Sequence, residues 1–275
     1  MKPPRFDFVR ATSLADVHAV LAELGANARL LAGGQTLMPM LSMRLVRPTA
    51  VVDIMHVPGL DGIAIKGNDV RIGAGVRQAD LLAWPHLAAS LPLLQAALPW
   101  VGHAQTRSRG TVCGSIAHAD PSAELPLCLL ALDGTVGLSS SRGRRHVPAS
   151  EFLVGMMSTA RADDELIEAI HIPKRQPGAG YAFNEFGRRH GDFAIVACAA
   201  VVAATSIRLA VGGVADRPER RDFPLIEGKP LAEAIDAFSW ALDARDDLHA
   251  TARYRRELVR QMGHATIEEA RRCRG

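Results

Sequence analysis

Two short glycine-bearing segments are the parts of this chain best suited to chemistry: Ala32-Gly33-Gly34-Gln35-Thr36 and Gly110-Thr111-Val112-Cys113-Gly114-Ser115. A dinucleotide carries a pyrophosphate, and holding that charge takes several backbone N–H donors converging at close range. Glycine-rich turns supply them because no Cβ keeps the backbone away. Neither segment has the G-x-G-x-x-G spacing of a Rossmann turn or the G-K-[ST] ending of a P-loop, which disfavours the two commonest nucleotide folds. Taken alone, one Gly-Gly pair reads better as a structural turn.

Other reactive side chains make weaker patterns. The histidines include His103 and His118 beside the second segment, without the spacing of a metal motif. Ser122 and Ser158 lack a G-x-S-x-G elbow, and no hydrolase triad is visible. Cys113, Cys128, Cys198 and Cys273 are scattered, so no zinc site, disulfide framework or iron–sulfur cluster is expected within the chain. Any such cluster must come from a partner. His118 and Asp120 are read as orienting the second segment.

The elements that must hold these segments follow from periodicity. Phe6, Phe8 and Val9 read as a strand, and Ser13 with Asp16 makes a capping-box start to a helix ending at Gly25. Arg29 to Ala32 reads as a buried strand running into the first segment, and Val51 to Ile54 as another, completing a β-α-β unit. A hairpin about Gly67-Asn68-Asp69 opens a second lobe, with a helix from Gln78 to Leu82, another from Leu125 to Leu132, and strands at Thr135 to Leu138 and Leu166 to Ile172. Pro173 to Gly180 links to a third piece with strands at Tyr181 to Phe186 and Ile207 to Val211. There, Phe193 to Ala204 is an apolar run of helical length. The remainder reads as mostly helical, over Ala232 to Leu242 and Thr251 to Met262. The basic run Arg253-Tyr254-Arg255-Arg256 reads as a solvated helix face.

With 275 residues, the chain has room for two or so compact units and a sizeable ligand. A hydrophobic content of 48% and a net charge of +3 are ordinary for a globular protein and give no argument for nucleic acid. No stretch of about 18 apolar residues and no apolar leader is visible, so a cytoplasmic protein without a transmembrane segment is expected.

A resemblance gives the two segments their meaning. Leu31 through Pro39, then Arg44-Leu45, Pro48 and Val52-Asp53-Ile54, resemble the first flavin motif of the carbon monoxide dehydrogenase medium-subunit family, related to the flavin domain of xanthine dehydrogenase. Thr106 through Pro121 resembles that family's second motif, and Gly191-Asp192-Phe193-Ala194 and Asp247 through Arg256 extend the likeness over essentially the whole chain.

The resemblance implies an α+β fold: a two-part FAD-binding domain of the vanillyl-alcohol-oxidase/PCMH type, over 1–55 and 56–175, plus a C-terminal α+β domain over 176–275 with a small antiparallel sheet and helices. It implies noncovalent FAD, with Leu30, Leu31, Ala32, Gly33, Gly34, Gln35, Thr36 and Leu37 along the first phosphate loop. Thr111, Val112, Cys113, Gly114 and Ser115 lie along the second. It places Val101 near an adenine-side wall, Ile167 along the adenine, Glu124 on the flavin's hydroxylated chain and Phe193 against the ring. Val101, Ile167 and Phe193 are equally explained as core, and Glu124 as a helix-start carboxylate. The chain departs from the family at Cys113, where relatives carry glycine. A cysteine there is strained by ~1–3 kcal/mol if φ is positive, so an ordinary conformation with a redox-inert thiol is expected.

What the resemblance implies for function is a flavin subunit with no catalytic acid, base or nucleophile of its own. A large partner would carry a molybdenum–pterin cofactor, a small partner two [2Fe–2S] clusters, and the assembly would be a dimer of heterotrimers. Two other readings stay open: a self-sufficient FAD-dependent oxidoreductase, and a non-catalytic nucleotide-binding or assembly module.

Overall fold

The computed structural model describes residues 2–274. The chain opens with β1 (Asp7–Arg10), α1 (Leu14–Leu24), β2 (Ala28–Leu31), α2 (Leu37–Ser42) and β3 (Ala50–Asp53). The capping box forms as its spacing predicts: Ser13 Oγ accepts from the Asp16 N–H, and the Asp16 carboxylate accepts from the Ser13 N–H. β1 and β2 both pair in parallel with the central β3. The first glycine segment therefore leaves the sheet at the carboxyl end of β2.

The next part is an antiparallel sheet of five strands. β4 (Ile63–Lys66) and β5 (Asp69–Gly73) form the expected hairpin. Six short helices follow: α3 (Gln78–Leu82), α4 (Leu87–Ser90), α5 (Pro92–Ala97), α6 (Ala104–Arg107), α7 (Val112–His118) and α8 (Glu124–Ala131). Then come β6 (Thr135–Ser140), β7 (Gly143–Pro148), α9 (Ala149–Phe152), the small hairpin β8 (Leu153–Gly155) and β9 (Ser158–Thr159), and β10 (Leu166–Pro173). The sheet order is β4-β5-β10-β6-β7. Every residue of α8 is buried, because the helix lies between this part and the next and has no solvent face.

The last part is a four-stranded antiparallel meander, β11 (Gly180–Phe186), β12 (Val196–Val202), β13 (Ser206–Gly212) and β14 (Glu219–Pro224), followed by α10 (Gly228–Ala241) and α11 (Ala252–Arg272). α11 packs on β11 and β12, while α5 and α8 meet the sheet from the other side. The approach of α11 is close: a Cβ on Gly180 would overlap the carbonyl of Ala270.

Three sequence expectations are corrected here. The run from Phe193 to Ala204 is not a helix; Val196–Val202 is the strand β12, buried almost throughout because helices cover both faces of the sheet. A strand covered on both faces loses its alternation, and periodicity then cannot separate it from a buried helix. Glu219–Pro224 is a strand rather than part of a helical tail, and its charged composition suits the edge of a sheet. The basic run is not wholly solvated, since Arg255 is only 2% exposed.

Candidate cofactor-binding site

The two glycine segments touch. Gly33 lies so close to the second segment that a Cβ there would overlap the Arg109 carbonyl and stand 2.7 Å from Gly110 Cα. Gly34 follows with φ +72°, a left-handed conformation in which a side chain is strained. Among the described residues, the N–H groups of Gly33, Gly34, Gln35 and Thr36 donate to no acceptor of the chain. Such a turn offers a set of unspent donors to an anion.

The second segment is anchored from its far side. Gln78 N–H donates to Gly110 O at 2.8 Å and Val112 N–H to Val76 O at 3.0 Å, which pins the segment beside α3. Thr111 then caps α7, its hydroxyl accepting from the Gly114 N–H at 3.1 Å. A Cβ on Gly114 would press to 2.6 Å from that hydroxyl, so a side chain there would make the Thr111 hydroxyl shift from its present cap. The segment is thus the start of a helix more than a loop.

Cys113 sits inside α7 with no positive φ, buried, its thiol 3.6 Å from Ile72 O. Burial pushes that thiol up to about 12, so it stays protonated at neutral pH. The expectation of an ordinary, unstrained backbone at this position agrees with the structure.

Both segments line one cleft of about 620 Å³, within the roughly 300–1,000 Å³ of cofactor sites. Leu30, Ala32 through Leu37, Val101, Thr111, Cys113, Gly114, Ser115, Glu124, Ile167 and Phe193 all line it. Leu31 and Val112 do not: Val112 is fully buried, and the Leu31 side chain lies beneath Gly34. Phe193 is 64% exposed at the cleft, which rules out the core-packing reading for this residue. Val101, 7% exposed, and Ile167, 4% exposed, serve both as core and as cleft wall. Gly102 and His103, just after Val101, pack against Gly191, where a Cβ would lie 2.7 Å from His103 Nδ1. That contact brings the C-terminal part to the cleft.

Glu124 is the first residue of α8 and is only 5% exposed, yet it lines the cleft. Burial pushes its carboxyl up to about 7, and the charge of Asp120 adds to the shift while Arg107 opposes it. Glu185 on β11 is pushed up to about 8, first by burial and then by Glu124. Its Oε2 is buried without a partner among the described residues.

Some lining residues went unrecognised in the sequence. Gln78 signalled only a helix start, but it is buried against Gly110 with Oε1 unpartnered. Arg161 and Asp163 reach the cleft from the connection before β10, and nothing in their spacing marks them.

Backbone donors, a left-handed glycine and two segments pressed together around one long cleft define a dinucleotide-cofactor-binding protein. Residues 4–175 match the family described as the FAD binding domain in molybdopterin dehydrogenase, and residues 181–270 match the CO dehydrogenase flavoprotein C-terminal domain. The chain belongs to this family of FAD-binding medium subunits of multi-subunit molybdenum hydroxylases. It is 39% identical to the 6-hydroxypseudooxynicotine dehydrogenase complex subunit alpha of Paenarthrobacter nicotinovorans, covering 98% of this chain and 96% of that one. It is 34% identical to the carbon monoxide dehydrogenase medium chain of Hydrogenophaga pseudoflava, covering 98% of each. The solved carbon monoxide dehydrogenase from that organism superposes with a TM-score of 0.94 at 32% identity, over 100% of both chains. Quinoline 2-oxidoreductase from Pseudomonas putida 86 superposes at 0.92 and 32% identity, over 99% of both.

The residues fit FAD. A Cβ at Gly33 would push away the Arg109 carbonyl that closes the turn onto the second segment, and the unspent N–H groups beside it suit a pyrophosphate. No helix of the described residues is long and apolar enough to cross a membrane.

Proposed function

We propose that this chain is the electron outlet of a heterotrimeric molybdenum hydroxylase. In this reading it receives electrons from the [2Fe–2S] clusters of a small subunit, delivered in turn from substrate oxidation at a molybdenum–pterin large subunit. It passes them to an external acceptor, within a cytoplasmic dimer of heterotrimers. The chain divides for this purpose into FAD-binding parts over 1–55 and 56–175 and a closing part over 176–275.

FAD supplies the exchange between one-electron carriers and a two-electron acceptor. The chain's own residues bind and orient. The turn Gly33 to Thr36 and the start of α7 at Thr111 to Ser115 give N–H donors to the pyrophosphate. Glu124 meets the hydroxylated chain, Ile167 the adenine, and Phe193 covers one face of the ring system by stacking. The observation that carries this reading is the contact between the two glycine segments at Gly33 and Arg109–Gly110, which makes one cradle of two distant stretches of sequence.

The test is a binding experiment on the purified chain. It should take up one FAD and neither molybdenum nor iron, and Gly33→Asp should take up none. A Gly33→Asp protein with stoichiometric FAD would overturn the assignment of the first segment. Substrate turnover by the chain alone, without partner subunits, would overturn the electron-outlet role in favour of a self-sufficient oxidoreductase.

A further inference from the structure

Arg255 is buried on α11, far along the chain from either glycine segment, and it is held by three short bonds. Its Nη1 donates to Ile195 O at 2.6 Å and to Gly213 O at 2.5 Å, and its Nη2 donates to Asp247 Oδ2 at 2.6 Å. A guanidinium buried to 2% exposure is costly to desolvate, and its retention at such a site needs partners of this quality. The planar fork suits the task, because it reaches two carbonyls and a carboxylate at once from a fixed geometry.

Two of the three anchors, the Ile195 and Gly213 carbonyls, lead back to the cleft. Ile195 closes the turn between β11 and β12, donating its N–H to Phe186 O at 2.8 Å. That turn carries Gly191, Asp192 and Phe193, all lining the cleft. Gly213 has φ +79°, and a Cβ there would lie 2.7 Å from Ile195 O and 2.9 Å from Ala194 O. Its own N–H donates to Pro121 O at 2.7 Å, next to Asp120 at the cleft wall. Asp247 also accepts from the His249 and Ala250 N–H groups at 2.8 and 3.0 Å, which fixes the carboxylate that orients the guanidinium. Without Arg255, two buried carbonyls would lose their charged donor at the point where the Phe193 turn and the end of β13 meet.

We propose that Arg255 is a positioning residue for the flavin: through Ile195 and Gly213 it sets the Phe193 turn and the Asp120–Pro121 segment against the ring end of the cleft, with Asp247 holding the guanidinium in place. The inference rests on the reading that Phe193 covers the ring; Arg255 itself touches no cofactor.

The experiment uses the purified full chain with FAD, as wild type, Arg255→Ala, Arg255→Lys and Asp247→Asn. Folding is checked by far-ultraviolet circular dichroism; FAD affinity is read from flavin fluorescence and ring environment from the visible dichroism of bound flavin. Removing the hydrogen-bond partner of a residue that ligates a metal typically weakens the bound metal on the order of 10–100-fold, and Arg255 supports the flavin cleft in a similarly indirect way. We expect a loss of that size and an altered visible band for Arg255→Ala. Millimolar guanidinium should restore both, and sodium chloride at the same ionic strength should not. Arg255→Lys should recover only part of the affinity, since an ammonium has no fork. A folded Arg255→Ala protein with wild-type affinity and visible band would overturn the inference. If Arg255→Ala does not fold, Asp247→Asn decides: an altered visible band supports the inference and an unchanged one overturns it. A wild-type chain that takes up no FAD would overturn the functional reading and this inference together, whereas intact binding in the variants overturns only the inference.

Discussion

At Gly33 the missing side chain serves contact between backbones first and ligand approach second. Because a Cβ would overlap the Arg109 carbonyl, even Gly33→Ala should part the two segments and weaken FAD binding by at least tenfold, about 1.4 kcal/mol; fluorescence titration checks this. Gly33→Asp therefore carries a steric penalty as well as the repulsion between its carboxylate and a pyrophosphate. Cys113 shows the opposite case, a side chain where the family resemblance implies none. Its thiol points into the core, away from solvent, and its raised pKa keeps it protonated. In the native protein a thiol reagent should modify the exposed Cys273 and leave Cys113, Cys128 and Cys198 until the chain unfolds. Cys113→Gly should keep flavin reduction intact, and loss of reduction with FAD still bound would contradict an inert thiol. Glu124 and Glu185 hold their protons more tightly folded than unfolded. Their contribution to stability is thus full below the ordinary carboxylate value of 4.5 and is lost as the pH rises through about 7 and about 8. Melting temperature should fall between pH 5 and pH 8, and Glu124→Gln should flatten that fall; an equal slope in wild type and variant would sink the assignment.

At the scale of elements, the site depends on where short helices begin. α7 starts at Thr111 because its hydroxyl satisfies the Gly114 N–H, and this start places the second segment on the cleft. Thr111→Ala should cost about 0.5–2 kcal/mol of stability, read by denaturant unfolding, and should loosen FAD binding at the same time. The sequence showed the N-terminal β-α-β unit, the first hairpin and α8 clearly, because alternation, capping residues and turn glycines are local signals. It misrepresented β12 because helices on both faces of the sheet erase its alternation. Arg255 was hidden for a related reason. Four basic or aromatic residues in a row say nothing about which of them faces β11 and β12 and which faces water.

Across the whole molecule, the cleft takes residues from the first sheet's turn, from the second part's helices and β10, and from the turn between β11 and β12. A ligand there binds only the assembled arrangement, so saturating FAD should raise the unfolding free energy, by about 2.7 kcal/mol at a hundred times its Kd. Calorimetry should show a higher melting temperature with FAD; an unchanged one would argue that the folded chain does not bind FAD. From its residues alone, the sequence determined that two glycine segments exist, that neither is a Rossmann turn or P-loop, and that a β-α-β unit is followed by a second lobe opened by a hairpin. Motif likeness added the family. These follow from neighbours within a few residues, which the order of the chain fixes directly. Only the tertiary structure decided that Gly33 is pressed onto Arg109 and Gly110 and that Leu31 and Val112 turn away from the cleft. It alone brought the buried Glu124 and the partly buried Glu185 together, and made Arg255 into the clamp behind the Phe193 turn. Each of those depends on distances between stretches many residues apart, and on which groups lose their water when the parts close together.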